Sequence, residues 1–188
     1  EFEAEMVKLN TLVGISKEQI DAWSGSLKGI AALTGRGPAE LAEGMFAITS
    51  GGARGAMALE LLEQSAKASA LGLGEVADIG RISGAAVQAF AQHNLTGSEA
   101  IDIMTATVRE GNLEADELSG ALGRVMGVAS AMGVQFADVG AFVASYTRSG
   151  VSAQVATTGL QAALTLLLKP QQTQIAKMEE LGLSVTDL

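Results

Sequence analysis

A short glycine-centred stretch recurs along this chain, and it constrains the fold more than any other feature. Residues 132–140 (MGVQFADVG) resemble residues 71–80 (LGLGEVADIG), and the chain ends on a related stretch at 181–188 (LGLSVTDL). Looser versions lie at residues 13–20 and 34–41. In each stretch a glycine suits the left-handed position that closes a helix. A polar residue or proline then opens the next helix, and a carboxylate favours its first turn. The pattern predicts helices joined by tight glycine turns.

The segments between these joints carry apolar residues at helical spacing. Ile20, Trp23, Leu27 and Ile30 step by three, four and three, which is typical of one buried face on a helix from about Lys17 to Leu33. Nine further helices are predicted by the same test, with these inward residues: Phe2, Met6, Leu9, Val13; Leu41, Met45, Ile48 after Pro38; Met57, Leu61, Ala68, Leu71; Val76, Ile79, Ser83, Ala86, Phe90; Ile101, Met104, Val108 after a cap at Thr96 or Ser98; Leu118, Leu122, Val125, Ala129, Met132; Phe136, Val139, Val143, Tyr146; Val155, Gly159, Ala162, Leu166 after a cap at Ser152; Ile175, Met178, Leu181.

These patterns predict an all-α fold. No segment alternates with period two over a useful length, so no strand is expected. The connections are about two to six residues long, which favours antiparallel neighbours. We therefore expect a compact array or bundle of about nine to ten short antiparallel helices joined by glycine-containing turns. It would form a single domain over residues 1–188, as a segment of a longer chain. A repetitive array and a plain bundle both remain open.

Composition excludes several classes of function. The formal net charge is −9, which argues against a nucleic-acid clamp because such a clamp needs a basic face. The chain has no cysteine, so disulfides, thiol catalysis and thiolate metal sites are excluded.

The sequence offers no convincing catalytic, cofactor-binding or metal-binding residue. His93 is the one histidine, no carboxylates cluster near it, and no Gly-x-Ser-x-Gly elbow accompanies it. Residues 72–77 (GLGEVA) are only superficially similar to a dinucleotide loop, which needs a preceding strand. The carboxylate pairs at 116–117 and 179–180 are adjacent in sequence, so their side chains point to different parts of a helix surface. No enzyme is predicted.

Small residues and one uncharged stretch raise the questions of close helix packing and of membrane contact. Three pairs of glycines lie four residues apart, a spacing that lets helices cross closely: Gly25 and Gly29, Gly80 and Gly84, Gly123 and Gly127. Residues 149–168 carry no charge and are long enough to span a bilayer, but serine, threonine and glutamine dilute them. A buried helix in a water-soluble domain is the preferred interpretation, and a membrane-active helix is the alternative.

The ordered set of short motifs resembles the core region of phage tail tape measure proteins of the TP901 type. The resemblance spans essentially the whole chain, although each motif alone is only a helix joint. It is carried, in order, by residues 2–6 (FEAEM), 12–14 (LVG), 70–72 (ALG) before a helix ending at Phe90, 113–118 (LEADEL), 128–133 (VASAMG), 149–151 (SGV), 154–160 (QVATTGL), a leucine run to Lys169-Pro170, and 181–185 (LGLSV).

This resemblance implies a structural virion protein. Such a protein would fill the tail lumen during assembly, set the tail length, and be expelled before DNA ejection. Implied partners are the tail tube protein, tail assembly chaperones and other copies of itself, without specific nucleic-acid binding. It would lie in the tail lumen, and in the host cytoplasm during assembly. The alternative is a membrane-active helical module that assists DNA passage across the host envelope through residues 125–168. Residues 50–55 (SGGARG) are richer in glycine than the resemblance implies, which leaves the path of that loop open.

Overall fold

Helices form most of the chain that the structure describes. The computed structural model describes residues 7, 10, 11, 14–168 and 180, and no strand occurs among them. Nine α-helices lie within residues 14–168: α1 Lys17–Thr34, α2 Pro38–Ser50, α3 Gly55–Ala70, α4 Val76–Ala89, α5 Gly97–Gly111, α6 Ala115–Leu122, α7 Met126–Ala131, α8 Phe136–Arg148 and α9 Ala153–Leu168, with a 3-10 turn at Ala91–His93. The all-α prediction is confirmed. The helices predicted at residues 1–12 and around residues 175–181 lie outside the described residues, apart from the isolated positions named.

The predicted glycine joints close α3 and α7. Gly72 and Gly133 have φ values of 92° and 74°. At the second joint the Val134 N–H donates to the Ala129 carbonyl at 3.0 Å and the Gly133 N–H to the Ser130 carbonyl at 3.0 Å. These two bonds define a Schellman motif, which satisfies the carbonyls that a helix end leaves unpaired.

The α5 helix is also capped at both ends, but an asparagine and not a glycine takes the left-handed position at its C-terminus. Its cap is Thr96 rather than Ser98: the Thr96 side chain accepts from the Glu99 N–H, while the Glu99 carboxylate accepts from the Thr96 N–H at 2.9 Å. At the other end Asn112, with φ of 52°, takes the left-handed position, whereas Gly111 stays helical and buried.

The glycine-rich loop between α2 and α3 has a path fixed by side chains. The Gln88 amide, on α4, donates to the Gly51 carbonyl. The Arg54 guanidinium donates to the Thr49 carbonyl, and to the Ala53 carbonyl at 2.9 Å. The loop is therefore tied to α4.

The helix predicted across Leu118 and Met132 is wrong as a single element. It breaks at residues 123–125 into α6 and α7, where the Val125 N–H donates to the Leu122 carbonyl at 3.1 Å in an i to i−3 turn. Gly120, Gly123 and Gly127 lower the helix propensity on both sides of the break. The apolar stripe continues across it, since Leu122 and Val125 are both buried.

The closest crossing in the first half joins α2 and α4, which are not consecutive. A Cβ added to Gly44 would lie 2.7 Å from Val76 Cγ1, and one added to Gly80 would lie 2.6 Å from Ile48 Cγ1. A large side chain of each helix thus packs over a glycine of the other, Val76 over Gly44 and Ile48 over Gly80. Gly44 faces Val76 and Ile48 faces Gly80, so residue numbers increase in the same direction along both helices. The α2 and α4 helices therefore run parallel, and α3, which connects them in the chain, runs in the opposite direction. The expectation that packing follows antiparallel neighbours misses this pair.

A second crossing of the same kind joins α5 and α8. A Cβ on Gly140 would lie 2.5 Å from Thr107 Oγ1, and one on Gly111 would lie 3.0 Å from Ala144 Cα. These helices also run in the same direction. Among the glycines paired at four-residue spacing, only Gly80 lies at a tight crossing; the other five have open space or ordinary contact distances around them: Gly25, Gly29, Gly84, Gly123 and Gly127.

Two large apolar clusters hold these helices together, with a smaller third cluster formed by Ala68, Leu73, Ile79 and Ile101. The first joins α1, α2, α3 and the start of α4, and it includes Trp23, which is 3 % exposed. The second joins the rest of α4 with α5 to α9 and includes Phe90 and Phe136, whose ring centroids are 5.4 Å apart. The burial predicted for Trp23 is confirmed.

Several residues predicted to face inward are exposed instead. Met57 is 47 %, Leu71 86 % and Tyr146 46 % exposed. Leu71 is the C-cap of α3, where the helix no longer sets the side-chain direction. Tyr146 stacks on Phe142 with ring centroids 4.4 Å apart, outside the main core.

The face predicted for α9 is also wrong. This helix packs through Ala153, Ala156, Thr157 and Leu164, whereas Val155, Gly159, Ala162 and Leu166 are exposed. The reason is that α9 carries small or apolar residues on both sides and no charge on either, so spacing alone does not distinguish them.

Candidate interaction surfaces

A groove lined by small residues runs between α5 and α8. Its volume is about 720 Å³. The α8 side is formed by residues at helical spacing, Ala137, Gly140, Ala141, Ala144, Ser145 and Arg148, and the α5 side by Ile103, Ala106, Thr107 and Glu110. The groove exists because Gly140 and Gly111 let the two helices approach without side chains filling the space above the contact.

Charged residues occupy only two positions of the groove. Ala137, Ala141 and Ser145 are exposed along it, above Gly140 and Ala144, which are buried. One carboxylate, Glu110, and one guanidinium, Arg148, line the same groove. Glu110 pairs with Arg109 at 3.0 Å, while Arg148 forms no ion pair with another residue that the structure describes.

The outward face of α9 is a second unusual surface, which we call the α9 outer stripe. It consists of Val155, Gly159, Ala162 and Leu166, which step by four, three and four. Val155 is 61 % and Leu166 46 % exposed. No charged residue lies between positions 149 and 168, so this face offers apolar contact without electrostatic selectivity.

The one histidine lies beside a smaller cavity. His93, Phe90, Glu99 and Asp102 are among the residues that line a space of about 480 Å³. The His93 Nε2 atom is buried and has no hydrogen-bond partner in the described structure. No group of three or more histidine, cysteine or acidic residues that could hold a metal ion occurs among the described residues.

Two other stretches that resemble functional motifs in the sequence have structural roles. Residues 72–75 lie in the joint between α3 and α4, as the sequence indicates, and residues 76–77 begin α4. The Asp116 carboxylate accepts from the Glu117 N–H at 2.8 Å in the first turn of α6. Of the pair at 179–180, only Glu180 is described.

Within the described residues, no helix has the length and apolarity needed to cross a bilayer. This holds for α9, whose 16 residues include five threonines and glutamines besides its apolar residues.

Comparison with known proteins agrees with the resemblance found in the sequence. Residues 18–188 match the family of phage-related minor tail proteins. This chain belongs to that family. The resemblance to phage tail tape measure proteins is likewise confirmed, because the chain is 24 % identical over 187 residues to the tape measure protein of Pneumococcus phage Dp-1.

That alignment covers all of this chain but only 16 % of its relative. The chain therefore spans about a sixth of the length of the tape measure protein it matches. No solved structure matches it. Membership of a minor tail protein family assigns the chain a structural role in phage tails, in contact with other tail components.

Sequence reasoning missed both surfaces described above. The α5/α8 groove is made of alanines and glycines from helices that are not consecutive, and these residues give no recognisable motif. The residues of the α9 outer stripe were identified, but they were assigned to the core.

Proposed function

We propose that this chain is a segment of a tape measure protein and acts in tail assembly and tail-length determination. One observation carries the proposal: the similarity to the Dp-1 tape measure protein runs through the whole chain. The proposed location is the lumen of the virion tail, with assembly in the host cytoplasm and expulsion before DNA ejection. The proposed partners are the tail tube protein, tail assembly chaperones and other copies of the chain.

The contribution of this segment to length depends on whether it stays folded. A continuous helix of 188 residues would add roughly 280 Å at about 1.5 Å per residue. The apolar faces of α1 to α4 instead cover one another, and Trp23 and Leu27 would be exposed in a rod. We therefore propose that the segment remains a compact single domain and that length is encoded mainly outside it.

We further propose that this segment has no catalytic role and does not bind DNA specifically. The net charge of −9 disfavours contact with phosphates, and the described residues contain no cluster of metal ligands. A membrane-active role would have to use the exposed apolar side chains of α9 at a bilayer surface.

An in-frame deletion of residues 1–188 in the intact phage tests the proposal, with tail lengths measured in electron micrographs. A deletion of equal length elsewhere in the same reading frame is the control. We expect the first deletion to stop tail initiation or to shorten tails by much less than the rod length. Shortening by nearly 280 Å would contradict the compact state. Normal yields of tails with unchanged length would contradict any role in length or assembly.

A further inference from the structure

The α9 helix has two apolar faces, and only one of them is covered. Its inner face packs on α6, α7 and α8. The α9 outer stripe runs in parallel with it, with exposed side chains at Val155 and Leu166 and small residues at Gly159 and Ala162 between them. A helix with large apolar side chains at its ends and a flat middle is suited to lying in a shallow groove.

The α5/α8 groove has matching dimensions. Its α8 wall runs from Ala137 to Arg148 and the stripe runs from Val155 to Leu166, so each covers eleven residue steps, or about 16 Å of helix. Both helices repeat at spacings of three and four residues. From Ala137 to Ser145 the α8 wall of the groove carries only glycine, alanine and serine, and its one large side chain is Arg148 at the end. The stripe carries its large side chains, Val155 and Leu166, at its two ends.

Charge favours contact at these two surfaces over other parts of the molecule. Copies with a net charge of −9 repel each other, and the repulsion is weakest where acidic residues are absent or are matched by a nearby basic residue. The α9 outer stripe has no charge, and Glu110 and Arg148 balance in the groove.

We propose that the α9 outer stripe of one copy packs in the α5/α8 groove of a second copy. The two surfaces are different, so the contact is heterologous. A pair of copies still presents one free stripe and one free groove, and association continues head to tail until a ring closes or, if none closes, as an open series. This specifies how copies of the chain would meet and so rests on the self-association named in the proposed function. The solution experiment below does not measure tails, so its failure leaves the tail-length proposal standing.

Two substitutions disable one surface each. Val155→Glu places a charge on the stripe. Its N–H already donates to the Ser152 hydroxyl at 3.4 Å, so a glutamate there completes a capping box and preserves α9. Ala141→Glu places a charge on the exposed side of α8 within the groove.

Matched controls are available on other helices. Met57 is the third residue of α3 and 47 % exposed, as Val155 is the third residue of α9, so Met57→Glu controls for Val155→Glu. Ala22 is exposed on α1, so Ala22→Glu controls for Ala141→Glu.

Sedimentation velocity of the 188-residue chain over a series of concentrations gives the result. We expect the unsubstituted chain and both controls to form a concentration-dependent series of oligomers, and each stripe or groove variant alone to stay monomeric. An equimolar mixture of Val155→Glu and Ala141→Glu should form a one-to-one complex and nothing larger, because it retains one intact stripe and one intact groove.

Three outcomes would overturn the proposal. The unsubstituted chain could stay monomeric at every concentration, which would mean that the stripe is covered within its own chain. Association could survive Ala141→Glu and disappear with Val155→Glu, which would indicate contact between two α9 helices. The monomer could instead bind vesicles of anionic phospholipid through Val155, which would assign the stripe to a membrane surface.

Discussion

Single residues set the helix ends of this protein, and Gly133 is the clearest case. It has φ of 74°, and no atom lies within 4 Å of the position that a Cβ would occupy. Gly133→Ala should therefore lower the free energy of unfolding by about 1 kcal/mol through backbone strain alone. Gly127, also in open space but inside α7, is the control: Gly127→Ala should leave stability unchanged or raise it by about 0.5–1 kcal/mol. Urea unfolding followed by circular dichroism measures both, and a change of the same sign in both variants would contradict this explanation.

Features that depend only on local backbone geometry were predictable at this scale. The Gly72 and Gly133 joints follow from residue type and near neighbours, and the same reasoning limits the cap of α5 to Thr96 or Ser98. Gly111 is different, because it packs against Ala144 of α8 inside the helix, and Asn112 takes the left-handed position that closes α5. No local pattern distinguishes a glycine that closes a helix from a glycine that accommodates a neighbour.

Close packing between two helices depends on the glycines at their contact, and two glycines of α4, Gly80 and Gly84, allow a comparison within one helix. A Cβ on Gly80 would lie 2.6 Å from Ile48 Cγ1, whereas a Cβ on Gly84 would meet Leu61 Cδ1 at 3.8 Å. Gly80→Ala should destabilise the protein by about 1–3 kcal/mol through overpacking. Gly84→Ala should be neutral or mildly stabilising, as expected for alanine in a helix. Thermal unfolding of the two variants measures the difference, and equal midpoints would show that the α2/α4 crossing relaxes freely.

The capping box of α5 makes part of its stability depend on pH. Hydrogen bonds from the Thr96 backbone and then its side chain lower the pKa of Glu99 from its ordinary value of 4.5. The folded-state pKa is thus below the unfolded one. The stabilisation is complete above the ordinary pKa and is lost as the pH falls through the lowered pKa. Glu99→Gln should remove this part of the acid-side loss of stability.

Unfolding free energies measured across that acid range test the expectation. Glu60→Gln is the control, since Glu60 is an exposed glutamate of α3 without a hydrogen bond to another described residue. If Glu60→Gln flattened the pH profile as much as Glu99→Gln, the capping box would not be its cause.

The positions of the helices along the chain were predicted better than the side of each helix that is buried. Charged residues on one side of α1 identify its buried stripe, so Ile20, Trp23 and Leu27 were placed correctly. The α9 helix has no such contrast, and its inner and outer faces were exchanged. The break between α6 and α7 was missed because an apolar stripe that stays in register does not show a local change from α-helical to 3-10 bonding.

At the scale of the whole molecule, the tightest packing links helices that are not neighbours in sequence. The α2/α4 and α5/α8 crossings each skip at least one intervening helix. The glycine joints predicted short antiparallel connections, and those connections exist, but local spacing does not reveal which distant helix each glycine faces. That the chain forms a single domain over residues 1–188 stays a prediction.

The direction of these two crossings also determines how the protein resists force. A pull on the two chain ends draws α2 and α4 in opposite directions along their shared axis, because they run parallel with α3 returning between them. Their contact is then loaded in shear. The Val76 side chain must move away from Gly44 at the same time as the Ile48 side chain moves away from Gly80. Antiparallel hairpins, by contrast, open one turn at a time. Single-molecule stretching should therefore show distinct rupture events for the two parallel crossings, and Gly80→Ala should weaken only the first.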